Sequence, residues 1–275
     1  MKSNRWLGRA LCVGTALAVI AMPGYGRAQT HQPLRVCSDP DYMPYSDRAG
    51  DGFENKIAAI VGKALGRPVE YYWTPTREAD EYGEYLHRTI EAGKCDLLVD
   101  VPYGMVQVET TRPYYISSYV FVFKRSAGYD LTSLDSSVLH SVKVGYETET
   151  PVEDGLKLRA LTIGAKPFMT ADDPDASPGR IVNAIESGQI NVGLTWDPAV
   201  GYFLKAHPDL AVVIIPNARS QGSPEQYSFP MAMATRSNDP RLHAEVEHVI
   251  ATHQAQLTAV LRQYNIRFFV PGGGT

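Results

Sequence analysis

From Leu34 onward the chain alternates short apolar runs with amphipathic stripes, and the period of each predicts its element. Residues 34–38 form a brief apolar strand, followed by a polar, aromatic loop, Asp39-Pro40-Asp41-Tyr42-Met43-Pro44-Tyr45-Ser46. Phe53, Ile57, Ile60, Val61, Ala64 and Leu65 then recur at helical spacing and stop at Gly66 and Pro68. This predicts a helix, with Asp51 and Glu54 as its capping box. Residues 69–73 read as an aromatic strand and 82–91 as a second helix ended by Gly93. Residues 95–101, CDLLVDV, read as a strand buried on both faces. Strand, helix, strand, helix, strand in this order implies right-handed crossovers and a parallel sheet.

The stretch 105–124, MVQVETTRPYYISSYVFVFK, breaks that rhythm. It reads as a turn, a Thr-Thr-Arg-Pro-Tyr-Tyr knuckle and a long apolar strand that carries the chain from one lobe to another, with Tyr114 and Tyr115 expected in the core. The strand–helix alternation then restarts. Strands are predicted at 141–146, 166–170, 190–195 and 210–215, and helices at 152–161, from Pro178 to Gly188, and at 198–206. A linker at 219–224 leads to a strand at 229–235, and Asn238-Asp239-Pro240 opens a long helix. Its stripe runs Leu242, Val246, Val249, Ile250, His253, Leu257, Val260, Leu261 and Tyr264, the spacing of a helix packed on a core rather than of a long coiled coil. The expected organisation is 29–124 plus 226–270 as one lobe, 125–225 as the other, and 271–275 as a tail.

The first residues change where the chain is expected to work. Lys2, Arg5 and Arg9 precede an apolar run and then Gly26-Arg27-Ala28, the pattern of a secretory signal peptide cut after Ala28. The apolar run is short for a bilayer span, so an exported protein of the periplasm, without membrane insertion after processing, is expected. The first 28 residues hold four of the 26 basic residues and none of the 30 acidic ones, which leaves a net charge near −8 on the remainder. That balance excludes nucleic acid, which requires a basic face.

Cys37 and Cys95 remain after processing. In an oxidising compartment the pair suggests a disulfide, compatible with neighbouring parallel strands in a sheet ordered 2-1-3. Two separate buried thiols are the alternative; a metal site would have too few ligands.

Three segments carry a family resemblance: GFENKIAAIV at 52–61, MVQVETTRPYYISSYVF at 105–121 and AIESGQINVGLTWDPAVGYFLK at 184–205. They resemble the type II periplasmic solute-binding fold over nearly the whole processed chain. The fold implied is α/β and two-lobed, each lobe a mainly parallel sheet flanked by helices, with two hinge crossovers. Together, CSDPDYMPYS, GFENKIA, CDLLVDVPYG and TTRPYYISSYVFV resemble a narrower group, the MxaJ/XoxJ proteins associated with quinoprotein dehydrogenases in bacterial methanol oxidation. This resemblance implies an accessory factor that assists activation or maturation of a PQQ-dependent alcohol dehydrogenase, with that dehydrogenase and its cytochrome c as partners.

The departures from the amino-acid-binding branch are specific. Val106-Gln107-Val108-Glu109 stands where that branch carries an Arg that clamps the ligand carboxylate, and Asn191 stands where a second-lobe Asp is frequent. A bidentate Arg is the usual grip on a carboxylate, so its absence at that place argues against a free amino acid as ligand.

In open α/β sheets a ligand sits beyond the carboxyl ends of the strands. The loops there supply the candidate cleft residues Asp39, Tyr42 and Tyr45; Trp73 and Thr74; Asp100 and Tyr103; Arg112; Tyr146 and Glu147; and Thr195, Trp196 and Asp197. Aromatics with a few charges suit a small polar organic molecule or a partner's loop, although the same residues also serve as packing between lobes. Arg112 is read either as a grip on an acidic group or as the partner of Glu109 or Asp197. Asp39 and Asp197 either face each other across a closed cleft or act as caps and solvated loop acids. No catalytic residue, cofactor or metal is assigned: there is no GxSxG, HExxH, P-loop or dinucleotide glycine pattern. The rival readings are a receptor for an ABC transporter and a periplasmic dehydratase on the same fold.

Overall fold

The computed structural model describes residues 32–76, 82–169, 177–220 and 222–271. The predicted signal peptide, residues 171–176 of the Asp- and Pro-rich loop and residues 272–275 of the tail lie outside the described residues.

β1 (Leu34–Ser38) runs into a tight ribbon, β2 (Asp41–Tyr42) and β3 (Ser46–Asp47), which delivers the chain to α1 (Phe53–Leu65). The helix start differs from the Asp51/Glu54 expectation by one residue. Gly52 is the N-cap, and its N–H donates to Asn55 Oδ1 at 3.1 Å, an oxygen that also takes the Asp47 N–H at 3.0 Å. The ribbon causes the shift: Asp47 Oδ1 already accepts the Asp51 N–H, and a Cβ at position 52 would meet Tyr45 O at 2.1 Å. Gly66, at φ 65°, ends the helix in the left-handed conformation that glycine adopts without steric cost. β4 (Val69–Trp73) follows, then α2 (Tyr82–Leu86), whose last turn widens into a π-helix over His87–Glu91, and β5 (Leu97–Pro102).

β4, β1 and β5 are parallel in that order, as the alternation predicts. This places Cys37 and Cys95 with Cα atoms 5.5 Å apart, and they are joined by a disulfide.

β6 (Glu109–Thr110) and the ten-residue β7 (Tyr115–Lys124) make the first crossing. The second lobe follows with β8 (Val144–Glu147), α3 (Pro151–Leu158), β9 (Lys166–Phe168), α4 (Gly179–Glu186), β10 (Val192–Trp196), α5 (Asp197–Leu204) and β11 (Leu210–Ile214). Here β10, β8 and β9 are parallel, and β7 is antiparallel to both β10 and β11.

The expected linker at 219–224 contains a hairpin, β12 (Ala218–Ser220) with β13 (Ser223–Glu225). Glu225 is buried, and a buried carboxylate requires partners. Arg159 supplies them, with Nη1 donating to Glu225 Oε2 at 2.8 Å, and the Tyr227 hydroxyl donates to the same oxygen. β14 (Ser228–Thr235) returns the chain to the first sheet, and α6 (Pro240–Gln263) covers it, kinked at His253.

β7 belongs to both sheets. Its first half pairs antiparallel with β14, from Tyr115 opposite Met231 to Ser118 opposite Ser228. From Tyr119 on it lies between β10 and β11, with Tyr119 opposite Trp196 and Val120 opposite Ile214. One core joins α1, α6 and the first sheet, with Tyr114 and Tyr115 fully buried in it; two further cores cover the faces of the second sheet. A smaller one around the disulfide holds Tyr85, Leu86 and Ile90. Among the described residues, no helix is long and apolar enough to cross a membrane.

Candidate functional site

The strand order brings the carboxyl ends of β1 and β5 to one side of a cleft and those of β8 and β10 to the other. Between them lies a cavity of about 390 Å³. Tyr42, Tyr45 and Pro102 line it from the first lobe, Glu147, Pro151, Trp196 and Ala199 from the second, and Tyr119, Phe229 and Met231 from the crossing strands.

On the first wall, Asp39 builds rather than faces the cleft. Its Oδ1 accepts the Asp41 N–H at 2.9 Å, and its Oδ2 accepts from Thr76 N at 2.8 Å and Thr76 Oγ1 at 3.0 Å. These bonds hold the β1 loop to the chain that follows β4. On that loop Tyr42 stacks on Tyr45 at 5.0 Å, and Tyr45 leans on Phe53 at 5.2 Å. Asp100 lies behind this wall, its Oδ1 accepting from the hydroxyls of Tyr115 at 2.8 Å and Tyr114 at 3.3 Å. Burial, opposed by those two bonds, pushes its carboxyl up to about 7.

The second wall is built on Glu147. The parallel pairing of β8 with β10 sets Tyr146 next to Leu194, and so brings the last residues of both strands together. Glu147 Oε1 accepts from Thr195 Oγ1 at 2.5 Å and Oε2 from Trp196 N at 3.3 Å. The carboxyl is 6% exposed, and burial pushes it up to about 7 against the pull of these two donors. Tyr119 and Trp196 approach to 5.0 Å, and Phe229 stands edge-on to both at 6.4 and 6.0 Å. Such tilted pairs are favoured arrangements of aromatic quadrupoles.

Of the candidates from sequence, Tyr42, Tyr45, Glu147 and Trp196 line the cavity, with Thr195 directly behind Glu147. The others do different work. Trp73 stacks on Tyr71 at 4.6 Å with the Arg48 guanidinium over its ring, and Tyr146 packs in a second-lobe core. Tyr103 is 54% exposed on the turn after β5.

Arg112 pairs with neither Glu109 nor Asp197. Its Nε and backbone N–H both donate to Glu247 on α6, because the segment before β7 runs along that helix. Asp197 does not face Asp39: it is buried and bonded to Arg267, at 2.5 Å from the backbone N–H and 2.8 Å from Nη1. Tyr119, Phe229, Met231, Pro102, Pro151 and Ala199 were not among the candidates, because the rule of strand carboxyl ends does not reach side chains on the strands that cross between lobes. For Tyr119 and Phe229 the available signal was two aromatics inside strands already expected to pass between lobes.

Mainly parallel α/β lobes, joined by crossing strands around a cleft at the strand ends, define the two-lobed type II periplasmic binding protein fold. No family model matches the chain. Protein MoxJ of Methylorubrum extorquens is 27% identical over 280 residues, covering 92% of this chain and 91% of its own. Two crystal structures superpose over 86% of this chain. MxaJ from Methlophaga aminisulfidivorans does so at 25% identity with a TM-score of 0.77, over 100% of its own chain, and the periplasmic binding protein XoxJ from Methylobacterium extorquens at 29% and 0.69, over 99%. Over most of its length the chain is similar to periplasmic binding proteins of the MxaJ/XoxJ type, and it shares their fold.

Proposed function

We propose that the protein is a periplasmic accessory factor of a PQQ-dependent methanol or alcohol dehydrogenase, assisting its activation or maturation by protein–protein contact. The observation that carries this reading is the missing carboxylate clamp. Among the described residues no Arg or Lys lines the cleft, and Arg112, the arginine nearest the expected place, is held outside it by Glu247. A receptor for free amino acids needs that cation; a docking factor does not. The exposed apolar residues Tyr103 and Val106, 54% and 95% accessible on the turn beyond β5, fit a contact surface beside the cleft.

The test is affinity for the purified dehydrogenase by calorimetry, together with the specific activity of dehydrogenase from a strain lacking this protein. Docking that is weakened by Tyr103→Ser with Val106→Ser, and a poorly active dehydrogenase in the deletion strain, are expected. Full activity in that strain sinks the proposal. The second reading, a receptor delivering a small solute to an ABC transporter, is favoured by the cavity itself, and permease and ATPase genes beside this one would raise it.

A further inference from the structure

The cleft has a chemistry that docking does not explain. Its walls are aromatic rings, and the ionisable groups behind them are acids. Glu147 lines the cavity, 94% buried, with Trp196, Tyr119 and Phe229 packed in mutual ring contact beside it and Tyr42 and Tyr45 opposite. Burial first, then Tyr42 and the carboxyls of Asp100, Glu147 and Glu54, hold the Tyr45 hydroxyl well above its ordinary range, and among the described residues no Arg or Lys lines the cavity.

An ionised carboxylate in so dry a place is costly unless it is paired. Glu147 has only neutral donors, Thr195 and the Trp196 N–H. Ring faces carry negative potential and attract cations, most strongly when water is excluded. We propose that the interlobe cleft binds a small organic cation, an ammonium or guanidinium group on an apolar body, with Glu147 as counter-ion and the faces of Trp196, Tyr119 and Tyr42 around it.

A bare metal ion fits less well. Both Glu147 oxygens already accept hydrogen bonds and the surrounding rings offer no oxygen cage, whereas hard cations take six or more oxygen ligands. A neutral alcohol would satisfy one lone pair without compensating the charge. An anion would meet the Glu147 carboxyl with no lining cation to offset it among the described residues.

The groups facing Glu147 also set the direction with pH. Tyr119 on β7 and Tyr45 on the β1 loop are raised by burial, then by neighbouring acidic groups, and stay neutral around pH 7. Asp100, behind the first wall, and Glu54 on α1 are raised by burial too, so they lose protons in the same direction as Glu147. Cation affinity should rise with pH.

The test titrates the purified protein with choline, butylammonium, the neutral isostere 3,3-dimethylbutan-1-ol and the anion 3,3-dimethylbutanoate, following Trp fluorescence and heat. At about pH 8 the cations should bind at least about tenfold tighter than the neutral isostere, and the preference should fall to less than about threefold near pH 5. Glu147→Gln, which keeps an acceptor for Thr195, should abolish the preference at both pH values. The pH series on the unaltered protein decides the matter if that variant folds poorly. Equal or tighter binding of the alcohol or the anion overturns the proposal, as does a preference unchanged by pH and by Glu147→Gln, or no cation binding up to about 10 mM. Docking on the dehydrogenase involves Tyr103 and Val106 rather than Glu147, so either reading can fail without the other.

Discussion

Asp197, at the first position of α5, and Arg267, beyond the end of α6, are bonded twice. The backbone N–H of Arg267 donates to Asp197 Oδ2 at 2.5 Å and its Nη1 to Oδ1 at 2.8 Å. Because α5 belongs to the second lobe and α6 packs on the first, this pair ties the lobes together outside the crossing strands. Asn265 adds a bond from its side-chain amide to Gly201 O at 2.9 Å. Breaking a buried ion pair from one side leaves a charge without its partner, which is costly in full burial. Arg267 is 35% exposed, so solvent recovers part of the loss. Arg267→Ala should lower unfolding free energy by about 2 kcal/mol in a denaturant titration; an effect below about 0.5 kcal/mol would show that the tie contributes little.

The pH dependence of stability has a definite sign at Glu147. Its carboxyl ionises near 7 in the folded chain, against 4.5 for an unperturbed group. Between those values the folded state holds a proton that the unfolded state has released. The contribution is therefore fully present below about pH 4.5 and lost as pH rises through 7. Asp100 acts in the same direction. For Glu147 the loss is on the order of 3 kcal/mol. Thermal midpoints should fall between about pH 5 and pH 8, and Glu147→Gln should flatten the decline. A midpoint that rises over this interval would contradict the assignment.

The disulfide between Cys37 and Cys95 closes a loop with a sequence separation of 58. In the chain-entropy account, cross-linking a loop of that size restricts the denatured chain by about 4 kcal/mol. Reductant, or the double change Cys37→Ala with Cys95→Ala, should remove most of that stabilisation in equilibrium unfolding. A loss below about 1 kcal/mol would mean that the denatured chain gains little from being opened.

Arg112→Ala separates the cleft from the surface beside it. Its side chain is 60% exposed and its partner Glu247 stands on α6, so the change should alter stability by less than about 1 kcal/mol and leave choline affinity untouched. A loss of choline affinity of about tenfold would place Arg112 in the binding machinery after all.

Much of the architecture was legible because it rests on period and punctuation. Gly66 and Pro68 end α1 and Pro240 opens α6, and the apolar run that becomes β7 is too long for a simple parallel-sheet strand. The site was legible in part. Glu147 and Trp196 follow from the rule that loops after parallel strands line the ligand crevice, and both line the cavity.

The same rule misplaced Arg112 and Asp197, whose partners Glu247 and Arg267 lie 135 and 70 residues away in sequence, distances over which periodicity carries no information. The helix cap slipped by one residue for a similar reason: the competing acceptor, Asp47, arrives on the β2–β3 ribbon rather than from the helix's own sequence. Tyr119 and Phe229 escaped notice because which face of a crossing strand looks into the cleft depends on how the two sheets meet.

β7 also governs how the molecule comes apart. Tyr115 to Ser118 hydrogen-bond to β14, and Tyr119 to Lys124 to β10 and β11, so neither half can melt without stripping backbone partners from the strand it shares with the other. Heating should give a single calorimetric peak whose van't Hoff and measured enthalpies agree, as for a small one-domain protein, although the chain carries two sheets.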